Sequence, residues 1–126
     1  MKLTRRQTMK RASEFAMVRA EGSSAAGRFL VLSSASLPRD AAASNTGTAE
    51  SRFGIITTRK LGHAVVRNLL RRRVREIIRA HGEPLARGRC VVVIPRIHAA
   101  TASYEQLERD FIKQMRRLLR IENKAC

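Results

Sequence analysis

The sequence predicts an α+β two-layer sandwich in the order helix, strand, strand, helix, strand, helix, with the helices packed on the sheet. Three observations carry that prediction. Residues 57–79 repeat apolar side chains at helical spacing. The runs RFLVLSSA, RFGIITT and RCVVVIP have the length and composition of strands. Residues 103–121 repeat apolar side chains at helical spacing again. With 126 residues, 44% of them apolar, the chain suffices for one domain with its own core, residues 1–126.

Residues 1–12 are basic and irregular. Ser13 then caps a short helix, Glu14 to Glu21, which Gly22 closes. Phe15 and Val18, three apart, form its apolar side, and Phe15 suits either a core anchor or a half-exposed support for a nucleotide base. Arg28 to Ala35 reads as a strand and Arg52 to Thr58 as its antiparallel neighbour. The segment between them, residues 37–50, is small, polar and punctuated by Pro and Gly, and reads as a mobile hairpin loop. Arg59, Lys60 and Gly62 turn the chain into the arginine-rich helix, which ends at His81 and Gly82, with Pro84 barring its continuation. Arg89 to Pro95 is a buried strand by its unbroken apolar run. Ser103 opens the last helix with Gln106 three residues later, a capping box. Tyr104, Leu107, Phe111, Met115 and Leu118 then form a core stripe to about Ile121, leaving 122–126 as a tail.

The arginine-rich helix carries the functional signal. Val66, Leu70, Val74 and Ile77 gather on one side, while Arg67, Asn68, Arg71, Arg72, Arg75 and Arg79 fill most of the other. Glu76 can pair with Arg72 and Arg79, at ~0.3–0.5 kcal/mol each. Arg73 projects near the edge of the apolar stripe, where it snorkels rather than binds. Six arginines in residues 67–79 leave an excess of guanidinium that calls for a polyanion. The whole chain agrees: 26 Lys and Arg against 10 Asp and Glu give a formal charge of +16. Nucleic acid is the partner this balance suggests. A membrane is a poor competitor, because the longest apolar run, Cys90 to Ile94, has five residues and stops at Pro95. The start, MKLTRRQTMKR, lacks the apolar stretch of a secretory signal, which points to the cytosol.

Catalytic chemistry is not written in the side chains. A metal-dependent nuclease needs converging carboxylates, whereas the ten acids here are dispersed. Glu105 and Glu108 share a face, but they sit in the first turn of a helix, where acids complement the dipole. Cys90 and Cys126 fit neither a disulfide framework nor a zinc spacing, and His63, His81 and His98 are scattered. Neither a Walker loop nor a nucleophile elbow is present. No catalytic residue and no metal ligand is therefore assigned.

The stretch RKLGHAVVRNLLRRRVRE resembles the basic helix of the bacterial ribonuclease P protein subunit. In that family a basic pair, a glycine, Ala-Val and Arg-Asn precede a ladder of basic residues. The resemblance extends over roughly residues 5 to 120, through RRQTMKRASEFAMVRAEG, RFLVL, RFGIITT and VVVIPRIHAATASYEQLERD. It implies a noncatalytic protein, monomeric when free, that joins a catalytic RNA subunit and assists removal of the 5′ leader from precursor tRNA. Catalysis would then rest on the RNA and its Mg ions, with no cofactor on the protein alone. A left-handed strand–helix–strand crossover is also implied. By matching position, Arg59, Lys60, Arg67, Asn68, Arg71, Arg72 and Arg75 would contact the RNA subunit, and Phe15, Arg19 and Phe29 would belong to a cleft for the leader. Leu69 stands where a third basic residue is usual, and His63 where the family commonly has asparagine. Arg19 and Ser33 stand where aromatics often line the cleft, so Arg19 reads as holding leader phosphates by charge. The alternatives are another nonenzymatic binder, such as a ribosomal or ribosome-assembly protein, and a protein-only RNA hydrolase.

Overall fold

The computed structural model describes residues 22–36, 51–85 and 88–124, apart from the side chains of residues 36 and 122–124. The expected first helix, with Phe15 and Arg19, and the expected 37–50 loop lie outside the described residues. The elements are β1 (Ser23–Ala26), β2 (Leu30–Ser36), β3 (Arg52–Ile55), α1 (Ala64–His81), β4 (Arg89–Pro95) and α2 (Tyr104–Lys124). Short 3-10 turns span Arg59–Leu61, Glu83–Leu85 and Ile97–Thr101.

The sheet corrects one expectation. Its order is β1-β2-β4-β3, so the strand after the 37–50 segment is not the antiparallel neighbour of β2. β4 lies between them, antiparallel to β2 from Leu30↔Pro95 to Ser36↔Arg89, and parallel to β3 with Phe53↔Val91. The reason is in β4 itself. Its apolar run fills both faces, and a strand that is greasy on both sides belongs in the middle of a sheet. The four-residue β3 takes the edge instead, and the parallel connection it requires is spanned by α1. β1 is an addition that the sequence reading passed over, because SSAA carries no apolar alternation and draws its order from pairing with β2.

Alternation along the strands sends side chains to two places. Leu30, Leu32, Phe53, Val91 and Val93 face the helices and pack with Leu70, Val74, Ile77 and Ile78 of α1 and with Leu107, Phe111, Met115 and Leu118 of α2. Ala35, Cys90 and Val92 form a second buried cluster with Ile56 and Ile94 beside them. Ser33 pairs with Val92 and so shares that opposite face.

The helix ends follow from local chemistry. The expected capping box is formed: Gln106 N–H donates to Ser103 Oγ at 3.2 Å, and Ser103 N–H to Gln106 Oε1 at 2.9 Å. α2 runs past Ile121 to Lys124. α1 ends where Gly82 N–H donates to Ile78 O at 2.7 Å, and His81 Nε2 lies 2.9 Å from Glu108 Oε2, tying this end to α2. Glu108 is therefore a hydrogen-bond partner of His81 as well as an acid near a helix start.

Asp110 joins α2 to the β1–β2 hairpin. It sits between Leu107 and Phe111 on the buried side, and its Oδ2 accepts from the N–H groups of Phe29, 3.0 Å, and Leu30, 2.9 Å. Its Oδ1 accepts from Gln114 Nε2 at 3.0 Å. A Cβ on Gly27 would collide with the Asp110 carboxylate and the Gln114 amide, so only glycine lets the turn approach this closely.

Asp110→Ala should lower the unfolding free energy by about 3 kcal/mol, since two backbone donors lose their acceptor next to the core. Urea titration checks this. A loss no larger than that of an exposed substitution would remove Asp110 from its structural role.

Candidate nucleic-acid interface

Packing sets the rotation of α1, and the rotation sets the site. Leu70, Val74, Ile77 and Ile78 are buried, which turns Asn68, Arg71, Arg72 and Arg75 outward, where all four are exposed. Arg59 and Lys60 are exposed on the 3-10 turn that leads into the helix and packs against it. Gly62, at φ 132°, makes the corner between them in a conformation that side-chain-bearing residues rarely adopt. Six of the seven residues suggested for RNA contact thus stand in solvent, on α1 and the turn before it.

Arg67 differs. It is half-buried within the apolar stripe, and its Nε is shut off from solvent with no hydrogen-bond partner among the described residues. The helical projection explains this, because Arg67 lies angularly between Val74 and Ile78. Arg73 behaves as its edge position suggests: half-buried, it donates from Nη1 to Ala102 O at 3.1 Å and fastens α1 to the turn before α2. Arg79 pairs with Glu76 at 2.9 Å. No Glu76–Arg72 pair is formed, so among the described residues Arg71, Arg72 and Arg75 face solvent without a carboxylate partner.

Two apolar residues stand on the same wet side. Val65 is 80% exposed, and Leu69, one turn on, is 42% exposed. Their i, i+4 spacing outside the buried stripe was available in the sequence, and they give the guanidinium flank an apolar ridge suited to a ribose or base face. Phe29 is half-buried, packs against the helix-side core and lies under the Arg28 guanidinium, 5.4 Å from its ring centroid. Phe15 and Arg19 lie outside the described residues. Elsewhere, the Tyr104 phenol is held above its ordinary pKa by partial burial, then by the Glu108 and Glu76 carboxylates, so it remains a neutral donor at physiological pH.

Among the described residues no group of three or more His, Cys, Asp or Glu could hold a metal ion, and no helix is long and apolar enough to cross a membrane. The arrangement offers an outward bank of hydrogen-bond forks matched to phosphate oxygens.

The family model for ribonuclease P matches residues 3–119. The chain belongs to the ribonuclease P protein family. The ribonuclease P protein component of Acidothermus cellulolyticus is 31% identical over 121 residues, covering 96% of this chain and 95% of that one. The solved ribonuclease P protein of Thermotoga maritima superposes with a TM-score of 0.68 at 26% identity, covering 84% of this chain and 92% of that one. The Staphylococcus aureus protein shares the fold, with a TM-score of 0.70 at 24% identity over 92% and 94% of the two chains. Membership in the ribonuclease P family makes this chain a protein component of an endoribonuclease, with the ribonuclease P RNA as its partner.

Arg71→Ala and Arg72→Ala should each leave stability within about 0.5 kcal/mol, as exposed unpaired side chains do. Arg73→Ala should cost about 1 kcal/mol through its bond to Ala102 O. Thermal denaturation of the three variants separates outward arginines from the structural one; equal losses would contradict the assignment.

Proposed function

We propose that this chain seats the catalytic RNA of ribonuclease P on the outward flank of α1 and assists removal of the 5′ leader from precursor tRNA. The observation that supports this reading best is that Arg71, Arg72 and Arg75, exposed beside Asn68, have no carboxylate partner among the described residues. Each guanidinium can grip a phosphate with two parallel N–H groups, and Asn68 can donate and accept among riboses and bases. Neutralising RNA phosphates in this way reduces the RNA's self-repulsion, so the particle needs less Mg for the same fold. Arg59 and Lys60 extend the contact at the start of the helix, and the half-buried Arg67 reaches it from within the apolar stripe.

Hydrolysis itself is assigned to the RNA and its Mg ions. Three of the ten acids have other work here: Asp110 holds the hairpin, Glu108 pairs with His81, and Glu76 with Arg79. Phe15, Arg19 and Phe29 are proposed to meet the single-stranded leader, Phe15 and Phe29 by family resemblance and Arg19 by its charge where the family often has an aromatic; Phe29 also lies beside the exposed Arg28. The protein works in the cytoplasm, as a monomer before it joins the RNA.

Reconstitution with a bacterial ribonuclease P RNA at low Mg tests the proposal. Leader removal should be fast with protein and slow without it, and RNA-free protein should cleave nothing. Arg67→Ala and Arg71→Ala should weaken RNA association by about 1–2 kcal/mol each, with a shallower dependence on salt. Unchanged affinity and unchanged slope would remove α1 from the interface.

A further inference from the structure

A second cluster of guanidinium groups surrounds the β1–β2 turn, on elements other than α1. Arg96 Nη1 donates to Gly27 O at 3.0 Å. Arg117 Nη1 reaches both Ala26 O, 3.3 Å, and Gln114 Oε1, 3.0 Å. Arg28, on the turn itself, rests over the Phe29 ring. All three residues are exposed, and among the described residues none is paired with a carboxylate. The acid bonded to this turn, Asp110, is buried and already accepts three N–H groups. Backbone carbonyls occupy one nitrogen each of Arg96 and Arg117, which fixes the guanidiniums while leaving further donors outward.

Topology relates this cluster to the first site. The pairing Leu30↔Pro95 puts the start of β2 beside the end of β4, and β3, parallel to β4, ends on the same side. The turn bearing Arg59 and Lys60 and the turn bearing exposed His98 pack together at this end of the sheet. Basic groups therefore run along one sheet end, from Arg59 and Lys60 through His98 and Arg96 to Arg28 and Arg117. Three interstrand spacings make that strip on the order of 15 Å long. A polymer of regularly spaced phosphates matches such a strip better than a compact acidic patch does.

We infer that the β1–β2 turn, ringed by Arg28, Arg96 and Arg117, is a second seat for RNA phosphates, reached across the sheet end by the polyanion that lies on α1. The inference rests on the RNA-binding reading of α1, and its test keeps the two apart. Binding to a transcript of a bacterial ribonuclease P RNA is measured across a salt series for the parent chain and four variants: the Arg28→Gln/Arg96→Gln/Arg117→Gln triple, the matching triple Lys variant, Arg28→Gln alone, and Arg71→Ala/Arg72→Ala. The Gln triple should bind about tenfold more weakly near physiological salt, with the slope of log K against log salt reduced by about 2. The Lys triple should keep most of that slope, because charge survives there although the forks are lost; a purely structural role predicts that both triples fail alike. Arg28→Gln breaks no hydrogen bond among the described residues, so it is the version that leaves the fold alone, and its slope should fall by about 0.7–0.9. An unchanged slope for Arg28→Gln and the Gln triple, with the α1 variant weakened, would overturn the second seat and leave the helix reading standing. Unchanged slopes in all variants would overturn both. Loss of binding to poly-glutamate with RNA binding intact would also overturn it, in favour of an acidic protein partner.

Discussion

Burial of one stripe on α1 is the constraint on which the interface depends. Leu70, Val74, Ile77 and Ile78 are between 0% and 2% exposed, and each contributes roughly 1.5–3 kcal/mol by leaving water. Repulsion between neighbouring like charges on a helix surface costs only a few tenths of a kcal/mol per pair, roughly the inverse of an i, i+4 attraction. Packing therefore wins by an order of magnitude. The helix is locked in the one rotation that leaves Arg71, Arg72 and Arg75 facing outward, and their mutual repulsion is too small to turn it.

The remaining architecture keeps that rod in place. Arg73 fastens the outer edge of α1 to Ala102, while His81 and Glu108 join its far end to α2. In turn, α2 is registered on the sheet by Asp110, which binds the amides at the hairpin turn and forces glycine at position 27. A few buried or half-buried polar contacts thus set the angle between two helices, and the sheet beneath them supplies the area. The same hairpin lock positions Arg117, since Gln114 links it to Asp110.

Much of this was legible in the residues. The apolar stripe of α1, its stop at His81 and Gly82, the β4 run and the Ser103–Gln106 box each rest on local periodicity or capping, and the structure reproduces them. Sheet order was not legible, because pairing is a nonlocal choice and sequence neighbours are only its default. β4 displaced β3 from β2 by needing partners on both edges. Asp110 escaped notice for a related reason: an acid in the middle of an apolar stripe makes sense only once the distant amides of Phe29 and Leu30 are seen to meet it. Arg67 shares the residue type of its outward neighbours, but on the helical projection it falls between Val74 and Ile78, where the stripe closes over its Nε. The projected place of Arg73 was read correctly, since a long side chain near a core edge has few other options.

In the proposed reading, RNA association and fold stability occupy opposite sides of one helix, with Arg73 at the border. The most direct measurement is solution NMR of isotope-labelled protein titrated with a bacterial ribonuclease P RNA fragment, following backbone amides and arginine Nε–H groups. The Nε–H signals of Arg71, Arg72 and Arg75 and the side-chain amide of Asn68 should shift first and furthest, while the amides of Leu70, Val74 and Ile77 keep the dispersion of a folded helix. Stationary α1 side-chain signals, with the largest shifts elsewhere on the protein, would contradict the central claim.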